Sequence, residues 1–264
     1  MRKPVAQGFY PFDRSELLEM LKILFSSAKS VERPSFGAIV PHAGYVFSGE
    51  VAAEVYASIK SIDSPIVLLG PNHTGIGSRF AVSFDDWETP LGVVKNFRPE
   101  SLKRYVDESA HRYEHSLEVQ LPFLQYRFEN FKIIPITISL LSLDEIESIA
   151  EELSRIDGYF IASSDFIHYG PMYGFDPYPG IDKVSWVRER DNELAKMIEN
   201  LQYRKFYRTV AKNGYTVCGF VPITLMLAIL KKRGASRGFL LSHKSSFDIS
   251  PSDSFVDYVG MVFD

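Results

Sequence analysis

Apolar runs of strand length alternate with longer amphipathic stretches along this chain. Residues 36–40, 65–69 and 159–163 are continuous apolar segments of five residues, which predicts strands buried on both faces. Residues 49–60 place Val51, Val55 and Ile59 on one helical face, with Ser48 as the expected N-cap. Residues 142–156 open with Ser142-Leu143-Asp144-Glu145, a capping-box start. Further helices are predicted over 184–200, 203–212 and 219–232, and closing strands over 238–243 and 255–263. Residues 80–84 and 92–95 flank the turn-like Glu88-Thr89-Pro90-Leu91 and predict a hairpin. Residues 131–138 are strand-like, and Pro135, which lacks an N–H, predicts an edge position or a bulge there. This alternation predicts an α/β domain. With no repeat, low-complexity tract or Gly/Ser linker, 1–264 is expected to be a single domain. Residues 169–180, rich in Pro, Gly and aromatics, are expected to form an ordered excursion over the strand ends.

Composition narrows the function. The chain has 264 residues, 45% hydrophobic and 23% charged, enough for a core without disulfides. Its formal net charge of −4 gives no reason to expect nucleic acid or an anionic membrane as partner. One cysteine forms no internal disulfide, and there is neither a signal-like leader nor an apolar run of membrane-spanning length, so a cytoplasmic protein is expected. The scarcity of Cys, Gln and Asn points to a thermophilic source.

Three predicted strands end in polar, reactive loops: His42 after the first, His73 after the second, and Ser164-Asp165 with His168 after the third. Ligands in open α/β sheets gather beyond the carboxyl ends of strands, so the three can share one edge. Glu114-His115-Ser116-Leu117-Glu118 begins another expected helix, with His115 and Glu118 one turn apart and Pro122 interrupting it after its second turn. Cys218, in Thr216-Val217-Cys218-Gly219, is the only thiol, and two imidazoles with one thiolate suit zinc, copper or iron. Each residue also has a plainer reading: turn histidines at His42 and His73, an N-cap at Asp165, a solvated helix face at Glu118, a core thiol at Cys218. His111 and His243 stand in surroundings without such a signal. No H-E-x-x-H, paired C-x-x-C, Walker loop or G-x-S-x-G elbow is present, and Gly75-Ile76-Gly77 lacks the rest of a dinucleotide fingerprint.

Five blocks in order resemble the Memo family: Val40-Pro41-His42-Ala43-Gly44-Tyr45, Leu69-Gly70-Pro71-Asn72-His73, Glu114-His115-Ser116-Leu117-Glu118, Ser163-Ser164-Asp165-Phe166-Ile167-His168 and Thr216-Val217-Cys218-Gly219. The resemblance implies a three-layer α/β/α domain with a mixed central sheet, similar to the class III extradiol ring-cleavage dioxygenases. It implies His42, His73 and Cys218 at a mononuclear metal pocket, lined by the catalytic candidates Asp165, His168 and His115. Iron or copper would be the favoured metal, with zinc also suited, and the chemistry would be redox. Cysteine replaces the dioxygenase carboxylate, which argues against simple ring cleavage. The resemblance also implies a radical-SAM system protein as partner. Two other expectations accompany it: a non-catalytic module taking phosphotyrosine or acidic peptides, helped by Arg79, and hydrolysis at a zinc ion.

Overall fold

The computed structural model describes residues 1–29, 31–177 and 182–264. In chain order the elements are α1 (Arg14–Ser27), β1 (Gly37–Val40), α2 (Tyr45–Ser58), β2 (Ile66–Pro71), β3 (Phe80–Val82), β4 (Trp87–Thr89), β5 (Gly92–Asn96), α3 (Leu121–Arg127), β6 (Lys132–Ile138), α4 (Leu143–Leu153), β7 (Tyr159–Ser163), β8 (His168–Tyr169), α5 (Lys183–Glu199), α6 (Tyr203–Asn213), α7 (Phe220–Lys232), β9 (Gly238–Ser245) and β10 (Phe255–Phe263). Short 3₁₀ turns fill several connections, among them Glu108–His111 and Glu118–Gln120.

The strands form one mixed sheet in the order β4-β5-β6-β2-β7-β1-β10-β8, with β3 also on β6 and β9 also on β10. At its centre β6, β2, β7 and β1 run parallel. Alternation explains why these strands read as unbroken apolar runs. Ile39, Val67, Leu69, Phe160 and Ala162 enter one core, under α4 to α7. Ala38, Val40, Ile66, Leu68, Tyr159 and Ile161 enter the other, under α1 to α3. Both faces are covered, and the architecture is the expected three-layer α/β/α.

Four local expectations are corrected. Helix α2 begins at Tyr45, four residues before the expected start: Gly44 is the N-cap, and the Ser48 hydroxyl donates to Ala43 O from inside the first turns (2.9 Å). The hairpin joins β4 to β5, because β3 pairs with β6. Side chains hold the intervening segment away from the ladder: Asn96 Nδ2 donates to Ser83 O and Asp85 O, and Glu108 accepts from Phe84 N and Asp85 N. Strand β6 is interior. Pro135 lies between Ile133, paired with β5, and Ile136, paired with β3, where the neighbour on that side changes. Finally, Pro122 initiates α3 instead of interrupting a helix, since a missing N–H does no harm in a first turn.

Of the loop expected over 169–180, residues 178–180 lie outside the described part. The remainder turns through a 3₁₀ segment, Pro171–Tyr173, and closes with a Gly170–Phe175 bridge.

Candidate metal centre

Parallel pairing brings the carboxyl ends of β1, β2 and β7 to the same sheet edge, and β7 lies between the other two. His42, His73 and Asp165 leave those three ends. Cys218 arrives from outside the sheet, and the reason is local. The segment before α7 is fastened to the loop after β7: Gly219 N donates to Ser164 Oγ (2.9 Å), His168 N to Thr216 Oγ1 (3.0 Å), and Ile167 bridges Val217. Gly219 is required for this approach, because a Cβ there would lie 2.4 Å from Ser164 Cβ. The result is a Cys218 Sγ to His42 Nε2 distance of 3.2 Å. Tetrahedral Zn–S and Zn–N bonds would set such a pair about 3.5 Å apart.

Two groups of donor atoms form here, each with all members within 4.8 Å of one another: His42, His73 and His115; and His42, Asp165 and Cys218. They overlap at His42, and among the described residues no group this close holds His73 and Cys218 together. The rings of His73 and His115 stack at 4.8 Å, and His42 stands edge-on to both. These residues and His168 line a cavity of about 570 Å³, whose walls include Phe9, Phe47, Met172, Tyr173, Tyr258 and a row of serines from Ser246 to Ser254. Of the six site residues expected from the sequence, His42, His73, His115, Asp165 and His168 line this cavity, and Cys218 lies outside its lining, 3.2 Å from His42 Nε2.

Hydrogen bonds fix which nitrogen each histidine offers. Tyr56 OH donates to Gln120 Oε1, so Gln120 Nε2 donates to Pro41 O and Ser163 Oγ. The Ser163 hydroxyl donates to Ser116 O (2.7 Å), leaving its oxygen to accept from His42 Nδ1–H (3.1 Å). His73 Nδ1 donates to Glu114 Oε1 (3.0 Å), and His168 Nδ1 faces the carbonyls of Phe166 and Thr216 (2.9 Å each). In all three rings Nε2 is left with its lone pair. This is how ligating histidines are oriented, by a partner on the other ring nitrogen.

Protonation follows burial. Burial, joined by the neighbouring His73 and His115, holds His42 well below its ordinary value, so the ring stays neutral. Burial raises the Cys218 thiol, and the Asp165 charge adds to this; without a cation it remains protonated. Burial also raises Asp165, against opposition from His168 and the His42 and Ala43 N–H groups, which donate to its Oδ1 at 2.8 and 3.2 Å. For Glu114 burial is outweighed: hydrogen bonds from His73 and Ser116 bring its carboxyl down to about 2.

Sequence reasoning missed several contributors. Glu114 is a fully buried carboxylate that accepts from His73 N, His73 Nδ1 and Ser116 N. Glu118, one of the two carboxylates in the same block, is not a solvated helix face. It is fully buried and receives Arg2 Nη1, Val5 N, Ala6 N and Tyr10 OH, which lays the N-terminal segment beside the pocket and puts Phe9 on His115 (centroids 4.3 Å). The spacing of two acids around one histidine was the available signal. Arg79 is exposed, pairs with Glu145 (2.5 Å), and is not among the cavity-lining residues.

The fold and the edge constellation define an α/β protein with an imidazole-lined pocket at the strand carboxyl ends and a thiol beside one of the imidazoles. A family model of Memo-like proteins matches residues 2–262. The chain is 42% identical to a MEMO1 family protein of Methanosarcina barkeri, over 99% of both chains. It is 37% identical to one of Aquifex aeolicus, over 100% of this chain and 99% of the relative, and 37% identical to one of Pyrococcus furiosus, over 99% and 98%. The chain belongs to the Memo family. Among the described residues no helix is long and apolar enough to cross a membrane.

Proposed function

We propose that this protein binds one redox-active first-row transition metal at His42, His73 and Cys218 and uses it for oxidoreductase chemistry on a small molecule. The observation that supports the reading best is the set of Nε2 lone pairs turned free by Ser163, Glu114 and the 166/216 carbonyls, with a thiol 3.2 Å from one of them. The donor set fits: neutral imidazoles with a thiol that a bound cation would deprotonate suit iron or copper, and also zinc. Such a metal would supply one-electron or oxygen chemistry. His115 and Asp165 lie close enough to His42 to join or replace one of the three donors.

The chain's own residues do the remainder. His168, whose Nδ1–H is held by two carbonyls, can accept a proton at Nε2 from a molecule in the cavity. Asp165, held at Oδ1 by two backbone N–H groups, keeps Oδ2 at the cavity, 3.9 Å from His42 Nε2, and can take a proton from or return one to a molecule in the cavity at Oδ2. Phe9, Phe47, Met172 and Tyr173 give the cavity apolar walls, and the serines give it hydroxyl donors, as suits a small molecule with an aromatic or apolar body and polar substituents. A phosphotyrosine or acidic peptide finds less here, because among the described residues no lysine or arginine lines the cavity.

Elemental analysis of anaerobically purified wild type beside Cys218→Ser and His42→Ala tests the proposal. One equivalent at the pocket, counted as the metal lost in these variants, is expected in the wild type, with affinity at least roughly 10-fold weaker in each variant. Metal binding should release the thiol proton in the wild type and not in Cys218→Ser. Unchanged metal content in a His42→Ala, Cys218→Ser double variant would sink the assignment.

A further inference from the structure

On the α5 side of β9 and β10, away from the pocket, Asp191 of α5, His243 of β9 and Asp257 of β10 meet in the interior. Their ligand atoms all lie within 4.8 Å of one another. Asp191 and Asp257 are completely buried. Both carboxylate oxygens of Asp191 and one of Asp257 have no hydrogen-bond partner. Among the described residues no lysine or arginine forms an ion pair with either acid, and the one cationic partner in reach of Asp257 is His243, at 2.9 Å.

Unpartnered buried carboxylate oxygens are costly, and their negative charge must be neutralised. The histidine is arranged to help. Its Nδ1 lies 3.2 Å from Asn192 Oδ1, and its Nε2 points at Asp257 Oδ2 at 2.9 Å, so the ring is held from the far nitrogen with Nε2 turned into the cluster. Either a proton on Nε2 or a cation shared by the two atoms fills that contact, and neither arrangement of the proton reaches the two Asp191 oxygens. Two aspartates and one imidazole, oriented from the far nitrogen, form a three-donor set of mixed oxygen and nitrogen character.

We propose that Asp191, His243 and Asp257 bind a second divalent transition-metal ion, of the zinc or manganese class, separate from the strand-end pocket. The ion would tie α5 to the β9–β10 pair. It would also brace the loop that carries the pocket residues, because Asp257 exchanges backbone hydrogen bonds with Phe166 and Ile167, between Asp165 and His168. Burial and the Asp257 charge both raise Asp191, tempered by the nearby Ile167 N–H, so in the metal-free protein this carboxyl tends to hold a proton that the ion displaces.

The test strips the full-length protein with a chelator, reloads it with Zn²⁺, desalts it and counts bound zinc. It compares wild type, Asp191→Asn with His243→Gln, Asp257→Asn alone, and a pocket variant, His73→Ala with Cys218→Ser. The Asp191/His243 variant should hold one equivalent less than wild type whatever the pocket holds, and Asp257→Asn should bind at least 10-fold more weakly. The pocket variant should keep that equivalent, and Zn²⁺ should raise its melting temperature. Equal zinc content in wild type and the Asp191/His243 variant overturns the proposal and leaves the cluster neutralised by protons. So does a pocket variant that retains no zinc. Should the Asp191/His243 variant not fold, Asp257→Asn decides: zinc affinity equal to wild type overturns the proposal.

Discussion

Breaking the Arg2–Glu118 pair tests how the N-terminal segment is held over the pocket. Glu118 is fully buried and takes Arg2 Nη1 at 2.6 Å, Val5 N at 2.9 Å, Ala6 N at 3.0 Å and Tyr10 OH at 2.6 Å. Arg2 also donates to His111 O and Glu114 O, and lies 4.0 Å over Trp87. Glu118→Leu strands a buried guanidinium and orphans three further donors, at a cost of about 3–5 kcal/mol. Arg2→Met leaves the carboxylate with its remaining donors, so its cost should be smaller, about 2–3 kcal/mol. The double variant removes both charges at once and should cost less than the sum of the singles by about 2 kcal/mol. Urea unfolding at neutral pH measures all three, and for a chain of this size Glu118→Leu should lower the melting temperature by roughly 10 °C. Since Phe9 caps His115, the same variant should also weaken metal binding at the pocket. Additivity within about 0.5 kcal/mol, or a Glu118→Leu cost below about 1 kcal/mol, would refute the reasoning.

His111 supplies a pH dependence. Burial lowers its pKa from 6.5 to about 4, with Arg2 adding to the effect and the Ala81 carbonyl opposing it. The folded state keeps this ring neutral while the unfolded state takes up a proton. Its contribution is therefore complete above pH 6.5 and is lost as pH falls from 6.5 toward 4, amounting to roughly 3 kcal/mol. The stability–pH slope in that window should be shallower in His111→Gln, and an unchanged slope refutes the assignment. Gly219→Ala places a Cβ 2.4 Å from Ser164 Cβ and 2.7 Å from Ser163 O, so α7 must retreat and Cys218 must leave His42. A loss of about 1–3 kcal/mol with weakened metal binding is expected, and wild-type metal affinity would show that the contact does not depend on this glycine.

The three-layer frame was legible because β1, β2 and β7 are buried on both faces, and continuous apolar runs carry that information directly. The edge shared by His42, His73 and Asp165 was legible for the same reason, since parallel strands deliver their carboxyl ends together. What the sequence hid were long-range partnerships. Ser48 looks like an N-cap, yet it bonds to Ala43 O while Gly44 caps the helix through its backbone carbonyl. Residues 80–84 look like half of a hairpin, yet Asn96 and Glu108 draw the chain aside after Val82. Pro135 reads as an edge residue unless it is known that the neighbouring strand changes beside it. Glu118 reads as a surface acid because its main partner, Arg2, lies 116 residues away. The closeness of His115 to His42, and the burial of Asp191 with His243 and Asp257, likewise depend on tertiary placement that no local spacing encodes.

The Tyr56–Gln120–Ser163–His42 relay gives the most pointed test, because it separates orientation from ligation. Ser163 Oγ touches no cavity space, yet it accepts from His42 Nδ1–H at 3.1 Å and from Gln120 Nε2 at 2.8 Å while donating to Ser116 O at 2.7 Å. Ser163→Ala leaves three buried polar groups short of a partner, for a stability loss of about 1–3 kcal/mol. It also frees His42 to move its proton to Nε2, where Cys218 Sγ stands at 3.2 Å. That tautomer has no lone pair to offer, so metal affinity should fall by roughly 10- to 100-fold although every ligating atom is still present. Ser163→Thr, which retains the hydroxyl, should recover most of the affinity if the added methyl is accommodated. A change in stability alone would leave the relay a structural one. If metal affinity in Ser163→Ala equals wild type, the ring is oriented by its contact with Cys218, and the relay does not set the ligand.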